Sequence, residues 1–524
     1  MLSSEPTYLL ADERDEEIFR ATVPEDHYLR RVKAVIDFER LRPLLTEGYS
    51  TDQGRPAIEP LLMLKLEFLE YQYNLSDREV IEQTRCNMAY RYFVGLGLHS
   101  ALPHHTSLTY FRQRLGVERH QQVFDAVVGQ ARERGLVKDR LRLKDATHVI
   151  ANIAIPSTIR LVAQTRDRLL QALEPWGAEE VRRQRQRADH LRQSTEDLPG
   201  QERLVQRVVH LRELVAWGRT VADSREFAAA EPARQRPLQE ALALAGKVLD
   251  DRDDPDGQNH VLSVQDPEAR RAKHGEYYHG YLVDVSVDAD SQIVTAVNVL
   301  PGGANEGADA ATLIRREEAA HGNAVQAVSM DKAGYQGPVL QTLTDPEGLN
   351  VEVFVPPKQP PRPREFQAED FILSQDQKTL TCPTRQQATY RRRAWTRQGW
   401  QFYFPRATCA ACALQPGCVP QLPQTRGRGV IKNDYEAALL AARAKAQTPA
   451  YEQVRRAHAA VERKLGEMVR RHGARRARYW GQARVLLQQL MIGAVVNIKR
   501  LVKLIVDPGG GGSGMVRAGA AVLA

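Results

Sequence analysis

The chain has 524 residues, 26% of them charged and 42% hydrophobic, with a formal charge of +8 at pH 7. That length exceeds what one core can organise, so several domains are expected, and the composition is that of a soluble protein able to meet a polyanion. Five cysteines, an odd and sparse number, exclude a disulfide framework.

The opening "MLSSEPTYLLADERDEEIFR" lacks a basic start followed by an apolar core, so no secretory signal is expected. Residues 1–135 read as all-helical. "GRPAIEPLLMLKLEFLEYQYNLSDREVIEQTRCNMAYRYFVGLG" spaces apolar residues by three and four, and "SDRE" at 76–79 is a capping box that starts a helix. Two short helices joined by a tight turn fit either a helix-turn-helix reader of DNA or a plain helical bundle. Cys86, in an apolar stretch, is expected in the core.

"LRLKDATHVIANIA", residues 141–154, alternates like a half-buried strand but carries Asp145 at its centre. Aspartate is depleted in strands because its charge resists burial, so Asp145 asks for a reason. Residues 156–255 are helix-rich and dominated by Arg, Gln, Glu and Leu, as in "AEEVRRQRQRADHLRQSTEDL". They fit an antiparallel hairpin lying on DNA or on a second subunit, or simply solvated helix faces.

The periodicity then changes. "HGYLVDVSVDADSQIVTAVNVLPG" reads as two strands around "DADSQ", "DAATLIRREEAAHG" as a helix ended by Gly322, "AVQAVSM" as a buried strand running into Asp331, and "VEVFVP" as a last strand. Strands and helices in this order predict a mixed α/β sheet covered by helices. Asp331 falls at the carboxyl end of the fourth strand, where open α/β sheets place functional groups. Asp145 and Asp331 on neighbouring strands would repel each other unless a cation lay between them.

The segment "TCPTRQQATYRRRAWTRQGWQFYFPRATCAACALQPGC" places Cys382, Cys409, Cys412 and Cys418 in a possible Cys₄ zinc site, with free structural thiols as the alternative. It also interleaves arginines with Trp395 and Trp400. A long helical stretch follows from 451 to 502. On the face around Glu462 lie His458, Gly466 and Val469, whereas Glu467 points to the other side. The run "RRHGARRARYWGQAR" follows at once, and Arg470, Arg475, Arg476, Arg478, Tyr479 and Trp480 are candidate contacts to DNA phosphates and unpaired bases. The apolar stretch 485–506 is interrupted by Gln488, Gln489, Asn497, Lys499, Arg500 and Lys503 and reads as a packed amphipathic helix, not a membrane span. The Gly-rich tail over 506–524 is expected to be disordered.

These segments together resemble the DDE transposases of bacterial insertion sequences. "GRPAIEPLLMLKLEFL" with "HHTSLTYFRQRLG" looks like their N-terminal helical domain, "KDATHVIANIA" like the strand of the first Asp, and "MDKAGYQG" like the segment of the second. "DPEARRAKHGEYYHGYLVDVSVD" is similar to their second and third strands, and "VERKLGEMVRRHGARRARYWG" with "NIKRL" to the helix of the Glu. The resemblance implies an α/β ribonuclease-H-like mixed sheet over 140–505, interrupted by a helical insertion at 156–255 and a cysteine-containing β-rich insertion at 357–430. An all-α DNA-binding domain over 1–135 would precede it.

It further implies an acidic triad of Asp145, Asp331 and Glu462 holding two Mg²⁺ or Mn²⁺ ions, with Glu467 and Glu452 as alternatives for the third position. Double-stranded DNA at the element's ends and at the target would be the partner, bound by a homodimer in the bacterial cytoplasm or nucleoid. "DKAGYQ" has one residue more than expected between Asp-Lys and Gly-Tyr, which displaces Tyr335 and not Asp331. Two other readings share these features: a domesticated DNA-binding protein that does not cut, and a metal-dependent nuclease without strand transfer.

Overall fold

The computed structural model describes residues 10–506 except 48, 51–56, 255–256, 258 and 359–364. The Gly-rich tail from 507 onward, expected to be disordered, lies outside the described residues. The helices before the first strand are α1 (Glu13–Thr22), α2 (Tyr28–Val35), α3 (Arg42–Thr46), α4 (Pro60–Gln72), α5 (Asp77–Cys86), α6 (Met88–Val94) and α7 (Thr106–Glu133). Ser76 and Glu79 form the reciprocal capping box foreseen in "SDRE" and start α5. α5 buries Val80, Ile81 and Thr84. Cys86, at its last position, falls off that face and is exposed, contrary to the expectation of a core thiol.

α4 is apolar nearly all round and buried along almost its whole length, Glu67 and Glu70 included. Arg112 of α7 compensates them: it pairs with Glu67 at 3.0 Å, with Glu70, and with Asp77 at 3.0 Å. Removing that guanidinium would leave Glu67 with only the His120 ring and Glu70 with only Arg478 beside it in the interior.

The sheet comprises β1 (Arg142–Ile150), β2 (Arg270–His274), β3 (Glu276–Asp288), β4 (Val294–Pro301), β5 (Ala327–Ser329) and β6 (Glu352–Phe354). β1 is central, antiparallel to β3 and parallel to β5, and β5 is parallel to β6. The far edge of the long β3 is taken by β4 and, nearer its start, by β2. β2 is one strand more than periodicity indicates, so Asp331 follows the fifth strand and not the fourth. Helices α13 (Ala310–His321) and α14 (Gly337–Thr344) make the connections β4 to β5 and β5 to β6; to keep chain order, the insertion helices are α8 (Thr158–Leu173), α9 (Ala178–Ser194), α10 (Gly200–Ala222), α11 (Arg225–Ala229) and α12 (Pro232–Asp253). That insertion leaves β1 and returns before β2, with α8, α10 and α12 packed around a core of their own.

After β6 come two small three-stranded sheets. One is β7 (Ile372–Leu373), β8 (Leu380–Thr381) and β9 (Gln387–Ala388); the other is β10 (Arg391–Ala394), β11 (Gly399–Tyr403) and β12 (Gly429–Asn433). The short helices α15 (Arg406–Ala410) and α16 (Gln415–Cys418) lie between β11 and β12. Their shared core is small: Phe371, Leu380, Ala388, Phe402, Phe404 and Val430. The chain ends its described part with α17 (Glu436–Lys445), α18 (Pro449–His472) and α19 (Gln482–Val506).

A single apolar core unites the N-terminal helices, the β1–β3 face bearing Leu143, Val283 and Val285, and both α18 and α19. α19 differs from the amphipathic expectation, because Gln488, Gln489 and Asn497 are fully buried. Each amide has work there: Gln488 receives the Arg478 N–H at 2.8 Å, Gln489 donates to the Ala474 carbonyl at 3.2 Å, and Asn497 both donates to and accepts from the backbone of Val294 at 2.7 Å. Among the described residues no helix is long and apolar enough to cross a membrane.

On the opposite face of the sheet, Arg142 is fully buried and meets Glu317 of α13 and Asp288 of β3, the latter at 2.9 Å. Arg142→Met is expected to destabilise the protein by roughly 3–5 kcal/mol, since Asp288 stays buried without its cation and Glu317 keeps only Arg132. A urea-unfolding midpoint equal to that of the wild type contradicts this role.

Candidate active site

The register of two parallel strands brings the first two predicted carboxylates level. Leu143 of β1 pairs with Ser329 of β5, and two residues further along each chain stand Asp145 and Asp331. Asp145 is half-buried and its Oδ1 accepts the N–H of Ala146 at 2.8 Å. Asp331 caps a one-turn helix, Lys332–Gly334, accepting the Ala333 N–H at 3.1 Å. That turn absorbs the extra residue of "DKAGYQ", and Tyr335 is drawn inward to donate to the Leu439 carbonyl at 2.9 Å. A Cβ on Gly307 would stand 2.6 Å from the Gly334 Cα, so the loop before α13 braces the turn backbone to backbone.

The third carboxylate is set by how α18 docks. His458 is buried and its Nδ1 lies 3.0 Å from the Ser329 hydroxyl. Arg455, one turn earlier, donates to the Met330 carbonyl at 2.7 Å. Burial, with help from Arg455 and Lys144, pushes the His458 imidazole down to about 4, so it packs as a neutral ring. Glu462 follows one turn after His458 and is exposed.

Asp145 feels the other two. Burial first, and then the negative charges of Asp331 and Glu462, push the Asp145 carboxyl up to about 6, against the opposing pull of the Ala146 N–H and of Lys144. Lys144 itself points to the other side of the sheet, where it pairs with buried Asp284 at 2.9 Å. Glu467, an alternative third carboxylate, is engaged elsewhere. Despite burial, which alone would raise it, the ammonium groups of Lys464 and Lys499 bring it down to about 2; both pair with it, at 3.1 and 2.7 Å. Glu452, in the first turn of α18, is exposed beside Arg456.

The basic run does not continue the helix as expected. Gly473, with φ +72°, ends α18, and the N–H of Ala474 returns to the Met468 carbonyl. The segment beyond then runs beside the end of β1: Ile150 donates to Arg475 and accepts from Ala477, each at 2.8 Å. Arg475 bonds the His148 carbonyl at 2.7 Å. Arg478 pairs with buried Glu70 at 2.5 Å over the Tyr71 ring, and the Tyr479 hydroxyl meets that of Tyr71 at 3.1 Å. These three therefore tie the segment to β1 and α4. Arg470 and Arg476 are exposed, as is Trp480, whose indole N–H holds the Asn152 carbonyl at 2.9 Å.

Cys382, Cys409, Cys412 and Cys418 line one apolar pocket with Phe366, Phe371 and Phe404, and none is in a disulfide. The Arg428 N–H points at the Cys409 sulfur at 3.3 Å, and the Thr384 hydroxyl lies between the Cys382 and Cys412 sulfurs at 3.1 and 3.8 Å. Burial, with Cys412 and Cys382 nearby, pushes the Cys409 thiol up. Among the described residues no three His, Cys, Asp or Glu side chains form a ready metal-ligating group. The docking pair Ser329 and His458 was not singled out from sequence as a contact. Its one signal was the placement of His458 a turn before Glu462.

Residues 17–114 match the family described as a transposase domain (DUF772), and residues 381–502 match a transposase DDE domain, a span that includes the cysteines, Glu462 and α19. No solved structure matches the chain.

Without divalent cations, wild-type protein is expected to lose thermal stability relative to Asp145→Asn as pH rises from about 4 to about 6. In that window the unfolded chain has released the Asp145 proton while the fold, which holds the carboxyl near 6, retains it, so stability falls with rising pH. Melting profiles of the two proteins that stay parallel across this range refute the coupling of Asp145 to its neighbours.

Proposed function

Because the chain belongs to the DDE transposases of insertion sequences, we propose that it cuts DNA at the ends of its element and joins the freed 3′ ends to target DNA. Asp145, Asp331 and Glu462 are the carboxylates in this reading, and its main support is the strand register that sets Asp145 and Asp331 level while the helix of Glu462 is fastened to the same strand end. As placed, the three carboxylates do not form a ready ligating group, so metal binding calls for them to close on the ion; the ammonium of Lys144, next to Asp145 in the chain, is committed to Asp284. Such an excess of negative charge on hard oxygen donors fits Mg²⁺ or Mn²⁺. Bound divalent ions would supply activation of a water and neutralisation of charge at the scissile phosphate.

The chain's own contribution is placement. Asp145 and Asp331 are held by paired strands, and Glu462 by a helix fixed to the same strand end through His458 and Arg455, leaving the exposed side open to a DNA strand. In the first step water adds to phosphorus and the bond to the 3′ oxygen breaks, leaving a 3′-OH and a 5′-phosphate. In the second, that 3′-OH attacks a target phosphate and a new phosphodiester forms as the target's own breaks. The sheet with its helical and cysteine-containing insertions serves as the ribonuclease-H-like core over 140–505, and 1–135 as the DNA-binding domain. Exposed Arg470, Arg476 and Trp480 suit DNA contact, whereas Arg475, Arg478 and Tyr479 hold the segment that presents them. Joining two ends calls for two copies of the chain on double-stranded DNA.

The cysteine pocket belongs to the same proposal as a structural zinc site. Four thiols face one cavity in a unit whose apolar core is too small to order it alone, and Cys409 already receives a backbone N–H. As placed, the sulfurs do not form a ligating group, so zinc binding calls for side-chain rotation.

Asp145→Asn, Asp331→Asn and Glu462→Gln are each expected to lower end cleavage on the order of 10²–10³-fold or more, while duplex binding stays nearly unchanged. Cleavage and joining of a labelled element end in Mg²⁺ check this; a variant that cuts at the wild-type rate removes its residue from the set, and cutting without joining favours a simple nuclease. Protein purified without chelator is expected to carry about one zinc per chain. Elemental analysis that finds none establishes the cysteines as plain thiols.

A further inference from the structure

β2 and the first half of β3 form a hairpin turned at Gly275, in which Arg271 pairs with His279 and Lys273 with Tyr277. Residues paired across antiparallel strands share a face. Accordingly both cations lie over the Tyr277 ring, the Arg271 guanidinium 4.3 Å and the Lys273 ammonium 5.4 Å from its centre. All three side chains are exposed, Tyr277 by 62%. Among the described residues neither cation has an acidic partner. A tyrosine ring flanked by two unneutralised cations narrows the rotamers of both and holds the charges at a fixed spacing.

The face on which they stand follows from strand alternation. Tyr277, His279, Tyr281, Val283 and Val285 lie on one side of β3, and Val285 pairs with Asp145. Between the hairpin and the register of Asp145, Tyr281, Val283 and Val285 are fully buried in the core, so the exposed cations stand at the end of the sheet. At the near end of β1, the Ala151 N–H bonds the His279 carbonyl, and Ile150 bonds the segment that carries Arg476 and Trp480.

We propose that Arg271, Lys273 and Tyr277 form a phosphate-backbone contact for duplex DNA, beside the segment that carries exposed Arg476 and Trp480. This rests on the DNA-cleavage reading and deepens it. The occupant follows from charge: DNA carries a phosphate charge about every 1.7 Å along its axis, and this face offers exposed cations with no internal counter-charge. A backbone contact predicts affinity without sequence preference.

The test is a salt titration of binding to an element-end duplex and to an unrelated duplex, made in the full chain carrying Asp145→Asn so that no cutting intervenes. Arg271→Ala with Lys273→Ala is expected to weaken both complexes by the same factor, tenfold or more, and to flatten the slope of log affinity on log salt by roughly 0.9 per lost contact. Arg271→Glu with Lys273→Glu deepens the loss, and Arg271→Lys with Lys273→Arg largely restores binding. Unchanged affinity and slope overturn the proposal, as does a loss confined to the end duplex, which marks base readout, or a change in self-association alone, which marks a protein interface. The cleavage reading is judged separately: if the Asp145→Asn protein cuts, that reading falls while the salt slope still decides the hairpin.

Discussion

The seating of α18 on the end of β5 is the contact on which the placement of Asp145, Asp331 and Glu462 relative to one another depends. A neutral buried imidazole, His458, and a guanidinium, Arg455, both fasten on Ser329 and Met330, the residues that directly precede Asp331. A charged histidine in the same place would add desolvation cost and repel Arg455. Beneath the sheet, Arg142 fixes β1 to β3 and α13, so Asp145 cannot withdraw from its neighbours by sliding.

A second set of buried charges links the two ends of the chain. Glu70 lies between Arg112 of α7 and Arg478 of the segment beyond α18, and burial pushes its carboxyl up to about 8 even with both guanidiniums present. Such a network is poorly tolerant of partial disruption, because removing one member leaves the others buried and unpaired. The N-terminal helices and the Glu462 helix are therefore mechanically continuous through α4.

Much of this was readable from the sequence, for identifiable reasons. The capping box at Ser76, the helix stop at Gly322 and the strand bearing Asp145 each depend on local chemistry, and each formed as read. Asp145 stood out because a carboxylate in a half-buried strand has few stable explanations. What could not be read depended on distant partners. Whether an arginine is free is decided by what lies opposite it, so Arg475 and Arg478 looked like their exposed neighbours Arg470 and Arg476 until β1 and α4 were seen to claim them. The helix break at Gly473 was hidden by the basic residues on both sides, and the buried amides of α19 gave a polar signal that amphipathic logic assigns to solvent. The short β2 lay within a charged stretch that lacks the apolar alternation of a strand.

The amide of Asn497 has a consequence for assembly. By offering an acceptor to the Val294 N–H and a donor to its carbonyl, it occupies the backbone positions that a neighbouring strand would use at the start of β4. An outer strand left open in that way is a template for stray pairing between chains, and here one side chain from a buried helix stoppers it. The start of β4 therefore has no free backbone pair at Val294 to offer to a strand of another chain.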